Sequence, residues 1–123
     1  MGEVDRGRLG TEAEELCVAW LERAGYRIRD RNWLVREGEL DIVAERGEFL
    51  CFVEVRMRSS ARFGEPSLTV TWAKQRRVVR AALRYLQRRP SPGRMVRFDV
   101  MTVLGRGPAA IIEHLPGAFD AGM

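Results

Sequence analysis

Gly38-Glu39-Leu40-Asp41-Ile42-Val43-Ala44-Glu45-Arg46-Gly47-Glu48-Phe49-Leu50-Cys51-Phe52-Val53-Glu54-Val55-Arg56-Met57-Arg58 is the stretch that decides the fold. Two apolar, β-branched and aromatic runs, Leu40 to Ala44 and Phe49 to Val55, flank a polar turn containing Gly47, the pattern of an antiparallel hairpin. Asp41 and Glu54 sit inside those runs. A carboxylate there costs several kcal/mol unless a cation, a proton or a hydrogen bond compensates it.

An even-numbered loop centred on Arg46-Gly47 puts position 39 opposite 54 and 41 opposite 52. Glu39, Asp41, Phe52, Glu54 and Arg56 then share one face, with the two embedded acids as diagonal neighbours. A three-residue loop would turn Glu54 to the other side. Carboxylates gathered on a half-buried patch bind a divalent metal, hold a proton at raised pKa, or lean on Arg56. The competing reading is a solvated charge ladder of Glu39 and Glu54 with Arg36, Arg56 and Arg58. Val43 and Phe52 among the acids weigh against the ladder enough to balance the two readings, and both stay open.

Working outward, Gly10 to Ala24 carries apolar residues at helical spacing (Ala13, Leu16, Cys17, Trp20, Leu21, Ala24), with Thr11 as N-cap and Gly25 as stop. Tyr26 to Leu34 reads as a first strand, with Trp33 as core or hairpin cover. Ser59 to Pro66 is a loop that leaves the hairpin on the Arg56/Arg58 side and could cover a bound strand. A second helix is predicted from about Thr71 to Arg89, ended by Pro90, with Val78, Val79, Ala82, Leu83 and Leu86 buried. Arg77, Arg80, Arg84 and Arg88 line another face, and Lys74 and Gln75 open the helix, where free N–H groups favour phosphate. Met95 to Leu104 and Ala109 to Leu115 read as the last strands. Arg97 and Asp99 share a face and compensate each other, and His114 reads as structural, without an evident acid-base partner.

The order helix, three strands, helix, two strands predicts an α/β sandwich with a mixed central sheet. At 123 residues the chain fits one domain. Residues 10–119 are expected to form it, with flexible ends at 1–9 and 120–123. No apolar run approaches the ~18 residues of a membrane span, and the start lacks the apolar core of a signal peptide. The expected setting is the cytoplasm, without membrane contact. Cys17 and Cys51 lie in apolar patterns without CxxC spacing and read as reduced core thiols.

The net charge of +4 hides an asymmetry. From Arg56 to Arg97 there are 12 Lys plus Arg against one acid, Glu65, whereas the rest has 9 against 16. Such a chain suits a polyanion gripped by one part and brought to an acidic part. Compositional bias explains why 20 of 21 basic residues are Arg, but not why acids are excluded from that block. Arg58, Arg62, Lys74, Gln75, Arg77, Arg80 and Arg84 are the candidate nucleic-acid contacts.

The spacing of an acid, about a dozen residues, then Glu-x-Arg resembles the PD-(D/E)xK nuclease superfamily. Along the chain, Glu14, Trp20-Leu21, Gly25-Tyr26, Arg31-Asn32-Trp33, Gly38-Glu39-Leu40-Asp41, Phe52 to Arg58, Lys74-Gln75, Arg97 to Val100 and Ala118-Phe119 resemble the bacterial YraN-like family. That resemblance covers roughly residues 8 to 119. It implies a restriction-endonuclease-like α-β-β-β-α-β-β sandwich, similar also to archaeal Holliday-junction resolvases. It further implies Mg²⁺ or Mn²⁺ on Asp41, Glu54 and the Val55 carbonyl, with Glu14 approaching from the first helix. Where the family commonly has Gly before this Glu, the chain has Ala13. Where related nucleases place Lys, it has Arg56, which stays protonated above pH ~12 and can stabilise charge or orient water but not act as a base. Catalytic roles thus fall on Glu14, Asp41, Glu54 and Arg56, with DNA, branched or single-stranded, as substrate. Junction resolution would need two sites and hence a homodimer. The alternatives are a non-cleaving nucleic-acid-binding protein with a nuclease fold, or a protein-interaction module with a structural acid cluster.

Overall fold

The computed structural model describes residues 6–58 and 70–121. Helix α1 (Arg6–Arg23) is followed by strands β1 (Arg27–Val35), β2 (Gly38–Arg46) and β3 (Phe49–Arg58), helix α2 (Trp72–Arg88), and strands β4 (Met95–Leu104) and β5 (Ile111–Phe119). The strands form one sheet in the order β1-β2-β3-β4-β5. Only β3 and β4 run parallel, joined through α2; the other neighbours are antiparallel. The protein is therefore an α/β sandwich with a mixed sheet. No helix among the described residues is long and apolar enough to cross a membrane.

Each helix covers one face. Ala13, Cys17 and Leu21 of α1 pack on Ile42, Ala44, Cys51, Val53, Met101 and Val103. Val78, Val79, Ala82 and Tyr85 of α2 pack on Val43, Leu50, Phe52 and Phe98. Strand β3 is buried on both faces from Leu50 to Glu54, which is why its sequence is a continuous apolar run broken only by the acid. Cys17 and Cys51 are unbonded and buried, and desolvation pushes their thiols up to about 12 and about 11.

Several boundaries differ from expectation. Helix α1 begins at Arg6, so Thr11 lies within it rather than capping it, and residues 6–9 form its start. The apolar stripe begins only at Ala13, and periodicity cannot signal a turn without an apolar face. On α2, Thr71 is the N-cap, accepting from Lys74 N at 3.2 Å, but Leu83 is exposed and Tyr85 takes the core position. Tyr85 satisfies its hydroxyl by donating to Asp30 Oδ2 at 2.7 Å, so the larger ring is buried without an orphaned polar atom. Strand β5 runs through Pro116 and Gly117 to Phe119. An edge strand tolerates a missing N–H, and Gly117 with φ 62° carries the bulge where pairing shifts between Phe98 and Val100.

The hairpin register also needs correction. The turn is Gly47-Glu48, with Arg46 opposite Phe49 and Ile42 opposite Val53, two positions away from the register centred on Arg46-Gly47. Parity is unchanged, so Asp41 and Glu54 still face each other's side, now as direct rather than diagonal neighbours. Pairing stops at Ile42 and Val53, and β2 turns away there. Leu40 and Ile42 would share a face in a regular strand, yet Leu40 packs with α2 and Ile42 with α1. Across from Asp41, between the Arg31/Ile42 and Trp33/Leu40 pairs, stands Asn32 at φ 51°. Both strands bend at one level, and the acids occupy the gap.

Candidate active site

Asp41 uses its carboxylate where a strand partner would have been: Val55 N donates to Asp41 Oδ2 at 2.9 Å. The N–H and C=O of one strand residue point to the same side, so the Val55 carbonyl faces the same gap. Glu54, only 5% exposed, lies within electrostatic reach of Asp41. From the first turn of α2, Lys74 reaches in and sets its Nζ 3.3 Å from Glu54 Oε2. Burial is the main cause that pushes Glu54 up to about 7; the Asp41 charge adds to it, and Lys74 and Arg56 only partly oppose it. Asp41 is raised as well, first by burial and then by Glu39, against the pull of the Val55 N–H and Lys74.

Glu14 comes from α1. It is not the solvated acid that helix starts usually carry; its residue is 9% exposed. Its Oε1 has no hydrogen-bond partner among the described residues, and Arg31 Nη2 stands 4.0 Å away. Burial and the Asp41 charge raise it, while a hydrogen bond from the Asn32 side chain holds it down. Asn is the residue best suited, after Gly, to a left-handed backbone, so Asn32 both bends β1 and steadies Glu14. Asn32→Gly keeps the backbone but loses the bond to Glu14 and should cost about 1 kcal/mol, whereas Asn32→Val, β-branched at positive φ, should cost roughly 1–3 kcal/mol more in urea unfolding.

Other buried acids are compensated by guanidinium groups. Glu45 takes Arg27 Nε at 2.7 Å, with Arg29 at 3.7 Å and Arg94 at 3.5 Å. Asp99 accepts two bonds from Arg97, at 2.9 and 2.8 Å, as the shared face predicts. It also accepts from Gly117 N at 3.0 Å and meets His114 Nε2 at 2.8 Å. His114 thus does have a partner, and with Trp20 and Tyr26 packed edge-on against its ring it belongs to the core. Burial pushes Asp99 up, but these bonds outweigh it and hold the carboxyl below its usual range. The bonds to Asp99 cross a bulge and two strands, which no sequence pattern announces.

The remaining sequence-predicted residues divide. Arg56 lends its charge to Glu54. Gln75 is tied back, its Nε2 donating to Val70 O at 2.9 Å. Arg77 and Arg80 are exposed on the outer face of α2, but Arg84 is paired with Glu37 at 3.0 Å. Arg58 is turned largely away from solvent and toward β5, 3.8 Å from Glu113. Arg62 lies outside the described residues. The structure therefore brings Glu14, Asp41, Glu54, Val55 and Lys74 together, and only part of the arginine face remains outward.

A divalent cation fits this donor set. Among the described residues no three His, Cys, Asp or Glu side chains are grouped so as to hold a metal ion by themselves, so a cation here would need the Val55 carbonyl, waters or phosphate to complete its shell. Two destabilised carboxylates beside a backbone carbonyl, with the orphaned Glu14 Oε1 behind, make an open site of hard oxygens. That is the arrangement Mg²⁺ or Mn²⁺ takes when waters and phosphate complete its shell.

Comparison with known proteins finds similar chains in several bacteria. A UPF0102 protein of Myxococcus xanthus is 60% identical over 119 residues, 97% of this chain and 94% of the relative. One from Geobacter metallireducens is 44% identical over 112 residues, 91% and 92% of the two chains. Another from Anaeromyxobacter dehalogenans is 45% identical over 115 residues, 94% and 86%. The family model described as "Uncharacterised protein family UPF0102" matches residues 13–103, a span that runs from α1 through β4 and holds Glu14, Asp41, Glu54 and Lys74. With both the family model and these full-length likenesses in agreement, the chain belongs to the UPF0102, or YraN-like, family.

Proposed function

We propose that the protein is a metal-dependent endonuclease that hydrolyses phosphodiesters in DNA, with branched or single-stranded structures as substrates. The observation that carries this reading is the contrast among its acids. In a chain with 20 arginines, Glu45 and Asp99 are fully matched by guanidinium groups, whereas Asp41 and Glu54 remain raised despite Lys74. Their demand for positive charge is what a divalent cation meets.

Asp41, Glu54 and the Val55 carbonyl would hold Mg²⁺ or Mn²⁺. Such an ion supplies an acidified water and neutralises charge on the scissile phosphate. The chain's own groups do the rest. Lys74, fixed by its capped helix turn, holds an ammonium where negative charge would develop, and Arg56 adds a charge that cannot leave. Glu14 and Asn32 fix the back of the cleft, and Arg77 and Arg80 offer phosphate contacts along α2. The cytoplasm, where buried thiols stay reduced, is the setting consistent with this activity. Paired cuts at a junction would require two copies of the chain.

The test is incubation of duplex, flap, four-way and single-stranded DNA with Mg²⁺ or Mn²⁺. We expect cleavage by the wild type, none by Asp41→Ala, and a loss of about 10²- to 10³-fold for Lys74→Met, the usual effect of removing one electrostatic stabiliser. Arg56 in the lysine position favours one competing reading, a nuclease fold that binds without cutting. Salt-sensitive binding by the wild type and Asp41→Ala alike, with no product under any metal, would establish that reading instead.

A further inference from the structure

Trp20 packs against His114, ring centroids 5.3 Å apart, and Trp33 against Tyr85 at 4.9 Å. Trp72 does neither. It opens α2 with 73% of its surface exposed, at a helix position where an indole gives the helix no benefit. Its ring is nevertheless held. The Arg76 guanidinium lies over it, Cζ 5.7 Å from the centroid, and Arg76 is in turn anchored by donating to the carbonyl of Ala121. One face of the indole is thus backed by a fixed cation, and the exposed remainder is open to a planar group. Two residues further along, Lys74 touches Glu54.

We propose that Trp72 is a stacking platform for an unpaired nucleobase of the strand whose phosphate lies at the Asp41–Glu54 pair; this rests on the reading of that pair as a phosphodiester site. Every base has a π-face, so stacking on an aromatic side chain is sequence-tolerant and requires only that the base be free of its neighbours. Duplex interiors hide those faces. Single strands, frayed ends and branch points present them, so Trp72 selects such structures over continuous duplex. The charge around the platform is complementary to the same ligand: Arg76, Arg77 and Arg80 follow it along α2, within the block of 12 basic residues against one acid.

The experiment uses the full chain in EDTA, where binding is read without cleavage. The probes are a short thymidine oligomer and an abasic oligomer of equal phosphate number. The wild type should bind the thymidine oligomer about tenfold more tightly, the size expected of one stacked base, with quenching of its indole emission. Trp72→Leu should bind both oligomers equally and show no quenching, and Trp72→Phe should restore most of the preference. Trp72 is exposed, so these variants should fold, and circular dichroism checks that they do. Equal affinity of the wild type for both oligomers, or a preference that survives in Trp72→Leu, overturns the platform and leaves the nuclease reading standing. Failure of the wild type to bind either oligomer overturns both. A base-independent defect in Trp72→Leu would mark the indole as a protein contact instead.

Discussion

At pH 8, Glu54→Gln is expected to make the protein more stable, by roughly 1–2 kcal/mol, while abolishing metal-dependent cleavage. Burial first, then the Asp41 charge, raises the Glu54 carboxyl from its ordinary value of 4.5 to about 7. A rise of that kind in an acid means that the folded state binds the extra proton. Stability from this group is fully present below pH ~4.5 and is lost as pH rises through about 7. One pKa unit corresponds to about 1.4 kcal/mol. Sharing with Asp41 and loss of the Lys74 contact reduce the gain to the smaller figure. Glutamine has the same shape without the charge, so urea unfolding should show the variant ahead at pH 8 and level with wild type at pH 5. Millimolar Mn²⁺ at pH 8 should stabilise the wild type, by about 2.7 kcal/mol at a hundredfold excess over its Kd, and leave Glu54→Gln unmoved. A variant less stable than wild type at pH 8 would mean that the carboxylate is already satisfied and makes no demand for a cation.

Asp99→Ala should have the largest effect in the opposite direction, a loss of about 3–5 kcal/mol, or a fall in Tm of roughly 10–20 °C. Asp99 is 0% exposed and joins Arg97, His114 and Gly117 N, linking β4 to the bulged edge strand. Its removal leaves the Arg97 guanidinium, bonded also to the Tyr26 hydroxyl at 2.7 Å, with its counter-charge gone. The carboxyl is held below its usual value, so its contribution is present above the unfolded value of 3.8 and lost as pH falls through the folded one. The acid limb of the wild-type stability profile should therefore flatten in the variant. A loss under 1 kcal/mol would show that β5 is held by packing alone. Together the two substitutions separate an acid that the fold spends stability to keep from one on which the fold depends.

What the sequence by itself determined is the order and type of the elements, because these follow from local periodicity. A run alternating around Asp41, a continuous apolar run through Glu54 and a 3.6-residue stripe on α2 can each be read without knowing any neighbour. The side of the sheet shared by the two acids was also legible, since an even turn conserves parity even when the register is misplaced by two. The start of α2 near Thr71 was local too. Tertiary structure alone decided how each charge is compensated. Lys74 could be placed at a helix start from sequence, but only the crossover from β3 to β4 sets its ammonium on Glu54. Glu14 can be placed on the first helix from sequence, but only the fold buries it beside Asp41. Arg58 is legible as a basic residue, but only the fold sets it beside Glu113, and only the pairing of β5 brings His114 and Gly117 N to Asp99. Periodicity is a property of neighbours in the chain, whereas the energy of a buried charge depends on what lies within a few ångströms in space, and that is set by packing.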